Sequence, residues 1–167
     1  MILDGEYLIG TAEDMHDLGI RIGRELGAGD LLVLTGPLGA GKTTLSRGIG
    51  EGLGVRGPIT SPTFVLARTH PRLVGGAPLV HVDAYRLTDP LQVDDLDIPF
   101  AQSVVLMEWG AEVAAAVAEE WVELVITRPT GVGSADAEAP APEDAWELAG
   151  DEPRTVVVRR VRAATRR

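Results

Sequence analysis

Leu31-Leu32-Val33-Leu34-Thr35-Gly36-Pro37-Leu38-Gly39-Ala40-Gly41-Lys42-Thr43-Thr44 is the stretch from which the rest of the chain can be read. Four consecutive apolar residues with no polar alternation predict a strand buried on both faces, as in a parallel sheet. Gly36 to Thr43 then completes the pattern G-x-x-x-x-G-K-[ST], a phosphate-binding loop. Its glycines let backbone N–H groups turn inward around phosphate oxygens, with dihedrals that side chains disfavour. Lys42 is the only lysine of the chain among fifteen basic residues, the others all being arginine. A compact ammonium can reach over such a loop to β- and γ-phosphates, whereas a planar guanidinium fork cannot take its place.

Outward from the loop, Leu45, Ile49 and Leu53 fall on one stripe and predict a helix over Thr43 to Leu53, giving the strand, loop and helix that the motif requires. Upstream, Glu6 to Gly10 reads as a short edge strand. Thr11 reads as a helix cap followed by Glu13 and Asp14, and Met15, Leu18, Ile22 and Leu26 recur at helical spacing until Gly27 and Gly29. Downstream, Gly57 to Pro62 is a loop. Phe64 to Thr69 and Leu79 to Tyr85 predict an antiparallel hairpin turning around Pro71 and Gly75-Gly76. A short helix is expected over Asp89 to Leu96, a buried strand over Ser103 to Met107 and a helix over Gly110 to Glu120. Two further strands are expected at Val122 to Thr127 and Thr155 to Val161. The architecture implied is α/β and P-loop NTPase-like: a central, mostly parallel sheet flanked by helices, with antiparallel strands added.

Composition sets the frame. With 167 residues, 45% of them apolar, one domain spanning 1–167 is expected. The chain shows no apolar run long enough to span a bilayer and no export signal, and it has no cysteine, so a cytoplasmic protein without disulfides or thiolate metal sites is expected. The net charge of −10 argues against nonspecific grip on a polyanion. Residues 130–153 hold seven acids, three prolines and no base, the composition of a flexible acidic insertion. Arg154, Arg159, Arg160, Arg162, Arg166 and Arg167 crowd the last fourteen residues, which contain no acid. They read either as a solvated basic terminus, with a tail over 162–167, or as a surface for RNA or an acidic partner.

The chemistry expected at the loop needs partners. Thr43 supplies a hydroxyl for Mg²⁺, and Lys42 counters charge on the phosphoryl group. Glu108, at the end of Val104-Val105-Leu106-Met107, is the candidate second metal-side carboxylate. Trp109 either packs beside the site or belongs to the core. His81, Asp83 and Tyr85 alternate and would share one face of a strand, either as a structural polar network or with Asp83 orienting a water for attack. Ser61, Pro62, Thr63 and Phe64 occupy the position of a switch segment or of a simple connection. The chain contains no asparagine, so it cannot carry the Asn-Lys-x-Asp signature that reads guanine; ATP is favoured over GTP by elimination.

Taken together, Gly36 to Thr44, Ser61-Pro62-Thr63-Phe64, His81-Val82-Asp83-Ala84-Tyr85-Arg86-Leu87 and Glu108-Trp109 resemble, in order and spacing, the motifs of the TsaE family across residues 5 to 128. The resemblance implies a cytoplasmic P-loop ATPase of tRNA threonylcarbamoyladenosine biosynthesis. Such a protein works with TsaD and TsaB, which modify adenosine 37 of tRNA, and its ATP hydrolysis resets that complex. It further implies that Gly36, Leu38, Gly39, Ala40, Gly41, Lys42, Thr43, Thr44 and Thr63 contact ATP and that Thr43 and Glu108 hold Mg²⁺. Lys42, Asp83 and Glu108 then carry the catalytic roles. Pro37 stands where family members commonly have an acid, and the 130–153 insertion has no family role. Two other readings are a P-loop small-molecule kinase, which needs an arginine-rich lid, and a nonhydrolytic nucleotide-dependent binding module.

Overall fold

β2 (Leu31–Thr35) runs through the middle of a seven-stranded sheet in a computed structural model, its first four residues buried as the apolar run predicts. The structure describes residues 4–60, 66–85, 87, 91–128 and 152–163. In chain order the other elements are β1 (Gly5–Ile9), α1 (Ala12–Glu25), α2 (Lys42–Leu53), β3 (Ala67–His70), β4 (Leu79–Asp83), α3 (Leu91–Asp94), β5 (Val104–Glu108), α4 (Ala111–Val117), β6 (Glu120–Thr127) and β7 (Arg154–Arg162). The sheet order is β1-β7-β6-β2-β5-β4-β3. The central strands β6, β2, β5 and β4 pair in parallel, while β3 on one side and β7 and β1 on the other pair antiparallel. The parallel centre with antiparallel additions agrees with the sequence reading.

Two apolar layers fill the space on either side. One joins Met15, Leu18 and Ile22 of α1 and Leu45, Ile49 and Leu53 of α2 to Leu32, Leu34, Leu106, Leu124 and Val156. The other packs Val93, Val113 and Ala114 against Val33, Val80, Val82, Val105 and Met107. β5 is buried along its whole length because both faces are covered. Thr11 caps α1 in a capping box with Asp14, both hydrogen bonds measuring 3.0 Å.

α1 and α2 approach one another through glycines. A methyl at Gly48 would press on the His16 carbonyl and lie 3.0 Å from Gly19 Cα; one at Gly19 would lie 2.5 Å from Leu45 O. Only glycine allows two helix backbones to come this close. His16 also reaches Glu51 across the same contact, at 3.2 Å.

The structure corrects several boundaries and one assignment. β3 begins at Ala67, and α4 is only seven residues long because the chain extends again at Ala118. Tyr85 lies beyond the end of β4, so it does not share a strand face with His81 and Asp83. The strand expected over Thr155 to Val161 is β7 and runs from Arg154 to Arg162, so Arg159 and Arg160 lie in it as expected and Arg162 belongs to the strand rather than to a tail. Arg159 pairs with Glu123 at 2.6 Å, and Arg160 and Arg162 both engage Glu120, which lies opposite Arg162 in the β6–β7 register. These guanidinium groups hold the Glu120 carboxyl below its ordinary value. Arg154 is fully buried. The β6–β7 ladder continues to Thr127 opposite Thr155. The switch segment Ser61 to Phe64 with Thr63, Arg86, Arg166, Arg167 and nearly all of the 130–153 insertion lie outside the described residues.

Candidate functional site

Parallel strands end on the same edge of a sheet, and here that common edge gathers the candidate residues. In the β2–β5 register Leu34 stands beside Glu108, and in the β4–β5 register Asp83 stands beside Glu108. The chain leaves β2 through Thr35 into the glycine loop, so the loop, Glu108 and Asp83 arise from three adjacent strands.

The loop has the conformations its sequence calls for. Gly39 and Gly41 sit at φ 70° and 101°, in the left-handed region. At Gly36 a Cβ would meet the Ile126 carbonyl at 3.0 Å, so the loop passes against β6 with no room for a side chain. Ala40 is buried, while Leu38 is exposed at the loop's tip. α2 starts directly after Gly41, with no side-chain cap and no acid in its first turn. Its leading N–H groups, at Lys42, Thr43 and Thr44, precede the first i→i−4 bond, from Leu45 to Gly41. The contrast with α1, which has both a cap and acids, marks the α2 terminus as one suited to an external anion.

Lys42 lies over this loop. It is 7% exposed, donates from Nζ to Gly36 O at 2.7 Å and to Pro37 O at 3.0 Å, and lies 4.2 Å from the centre of the Trp109 ring. Burial holds its pKa below the ordinary lysine value, opposed by the negative charges of Glu108 and Asp83. Desolvation leaves this ammonium to gain from an anion brought to the loop, whereas the two carboxylates oppose that gain unless a further cation offsets them.

Glu108 does not leave the strand into solvent. It is 4% exposed, and Oε1 meets His81 Nε2 at 2.8 Å. His81 is buried as well, so the imidazole and the carboxylate fix each other across adjacent strands. Asp83 is half-buried at the end of β4, with Oδ1 accepting the Tyr85 N–H at 3.0 Å. Trp109, left open by sequence, belongs to the site: its ring covers Lys42 and meets Tyr85 edge-on at 5.7 Å.

Thr43 and Glu108 are the oxygen donors that could hold Mg²⁺ beside a nucleotide. Among the described residues no group of three or more His, Asp or Glu side chains could hold a metal. Mg²⁺ commonly takes one or two protein oxygens and fills its octahedron with water and substrate phosphate. Thr43, at the first turn of α2, and Glu108 supply a hydroxyl and a carboxylate of that kind. His81 was not foreseen as the partner of Glu108, although a histidine in an otherwise apolar strand was a signal.

A central parallel sheet, a glycine loop feeding a helix N-terminus and a lysine folded over that loop place the chain in the class of α/β proteins with a P-loop NTPase-like fold. The sequence profile of a family described as Threonylcarbamoyl adenosine biosynthesis protein TsaE matches residues 9–133. The chain belongs to the TsaE family. A protein of Streptomyces coelicolor named tRNA threonylcarbamoyladenosine biosynthesis protein TsaE is 54% identical over 120 residues, covering 70% of this chain and 81% of that one. The protein of the same name from Mycobacterium tuberculosis is 45% identical over 133 residues, covering 74% and 79%. Among solved structures, the crystal structure of YdiB from Bacillus subtilis superposes with a TM-score of 0.63 at 26% identity, covering 98% of this chain and 88% of that one. Among the described residues no helix is long and apolar enough to cross a membrane.

Proposed function

We propose that this chain is a Mg²⁺-dependent ATPase of the cytoplasm that acts with TsaB and TsaD in threonylcarbamoylation of adenosine 37 of tRNA, its hydrolysis of ATP resetting the complex between turnovers. Membership of the family supports the pathway. The convergence of Lys42, Glu108 and Asp83 at one sheet edge, above the glycine loop, is the observation that carries the chemistry. The partners are those the family resemblance implies.

In this reading the N–H groups of Gly39 to Thr44 and the α2 terminus bind the phosphate chain, and Lys42 neutralises charge on the β- and γ-phosphates. Thr43 and Glu108 would hold Mg²⁺, which would supply positive charge against the charge that develops during phosphoryl transfer. His81 orients Glu108 through the 2.8 Å bond. Asp83 would orient the attacking water. Thr63 is the further expected nucleotide contact. The small-molecule kinase reading is weaker: Arg68 donates to Thr60 Oγ1 at 2.9 Å and Arg72 lies along Gly76, so neither is poised as a lid.

Phosphate release, measured for the chain alone and with TsaB, TsaD and tRNA, tests the proposal. Slow turnover alone and faster turnover in the full mixture are expected. Equal rates would remove partner dependence, and complementation in cells by Glu108→Ala without hydrolysis would favour the binding module.

A further inference from the structure

Trp109 carries three features that the loop chemistry leaves unexplained. Its backbone is left-handed, at φ 61°, a region that a bulky residue enters only at a cost and that clusters at functional sites. The turn is held by the Trp109 N–H, which donates to Leu34 O at 3.2 Å, and Gly110 follows where a Cβ would meet the Met107 side chain. The chain is thereby fixed in the conformation that sets the indole over Lys42 Nζ, 4.2 Å from the ring centre, with Tyr85 packed against the ring at 66°. Both rings reach the surface, Tyr85 being 67% exposed and Trp109 36%.

An ammonium has three N–H donors. Two of those on Lys42 go to the Gly36 and Pro37 carbonyls. The third is shared between the electron-rich ring face and any phosphate oxygen brought to the loop, so the ring and the phosphate draw on one donor. We propose that Trp109 is a positioning residue that senses phosphate engagement of Lys42: the indole holds the ammonium over the loop, a bound phosphate chain weakens that contact, and the exposed Trp109–Tyr85 pair changes accordingly. This rests on the nucleotide-binding reading above and adds a read-out of occupancy at the surface.

Fluorine NMR of the full chain labelled with 5-fluorotryptophan tests it without altering the core. The chain has three tryptophans, and the Trp109 resonance is identified by its loss in Trp109→Phe. Mg·ADP and Mg·ATP are expected to shift this resonance by more than its linewidth, with a midpoint equal to the dissociation constant found by calorimetry. Lys42→Met, without nucleotide, is expected to shift it in the same direction, while the Trp121 resonance stays in place. If calorimetry shows binding but saturating nucleotide leaves Trp109 unmoved, or if Lys42→Met leaves it unmoved, the sensing role is wrong and the nucleotide reading stands. If calorimetry shows no binding, both readings fall.

Discussion

Gly48→Ala adds one methyl where the α1–α2 contact leaves no space for it. Alanine should favour the helix by about 0.8–1.0 kcal/mol over glycine. Against this, the new Cβ presses on the His16 carbonyl and sits 3.0 Å from Gly19 Cα, and both obstacles are backbone that no rotamer change can clear. Overpacking a filled interior costs about 1–3 kcal/mol, and a backbone obstacle belongs at the upper end. The net expectation is a loss of about 1–2 kcal/mol, and a chain of this length loses roughly 2–4 °C of Tm per kcal/mol. Thermal unfolding should therefore fall by about 2–8 °C. Because α2 begins at Lys42, moving it also displaces the loop, so calorimetry should show weaker ATP binding. Gly27→Ala is the control, since a methyl there meets nothing within 4 Å, and its Tm should stay level or rise slightly. A Gly48→Ala protein as stable as the wild type would refute the claim that close glycine packing holds α2 in place.

Three further outcomes follow from the site. Lys42→Arg should lose most ATP binding despite keeping its charge, and Lys42→Met should lose it as well; calorimetry reads both. His81→Leu leaves the buried Glu108 carboxylate without its hydrogen-bond donor and should cost about 1–3 kcal/mol, read as a lower urea midpoint. His70 is buried, and burial, with His81 and Arg68 nearby, depresses its pKa below the ordinary histidine value. The unfolded chain then binds more protons between the folded and unfolded values, so this contribution is fully present above about pH 6.5 and is lost as pH falls below it. Wild type should lose more Tm between pH 7.5 and 5.5 than His70→Gln does; equal losses would exclude His70 as the cause.

What could be read from sequence was what is local. The apolar run of β2, the loop glycines and the Thr11 helix cap each act within a few residues, and all appear as expected. Glu108 was legible as a carboxylate at a strand end, but its burial and its bond to His81 depend on β5 lying between β2 and β4, which no local pattern states. The arginines misled for the same reason. Arg159, Arg160 and Arg162 read as part of a basic terminus because Glu120 and Glu123 lie 36 to 42 residues earlier, and only the antiparallel β6–β7 pairing joins them. The glycines at 19, 23, 48 and 52 gave no strong local signal either, since their meaning lies in the other helix.

The β6–β7 ladder has a consequence for how the chain can vary in length. Thr127 faces Thr155, and Arg128 Nη2 reaches Glu152 Oε2 at 3.9 Å, so the connection leaves and re-enters the sheet at neighbouring points. Lengthening a connection whose ends are already fixed together costs only about 0.6 kcal/mol per doubling. The crossovers that carry the chain from β4 through α3 to β5 and from β5 through α4 to β6 have no such freedom, because each must return the chain to the starting edge of the sheet and place a helix. The pairing that closes at Thr127 and Thr155 thus allows the chain length between Arg128 and Glu152 to differ while the strand register that delivers Glu108 and Asp83 stays unchanged.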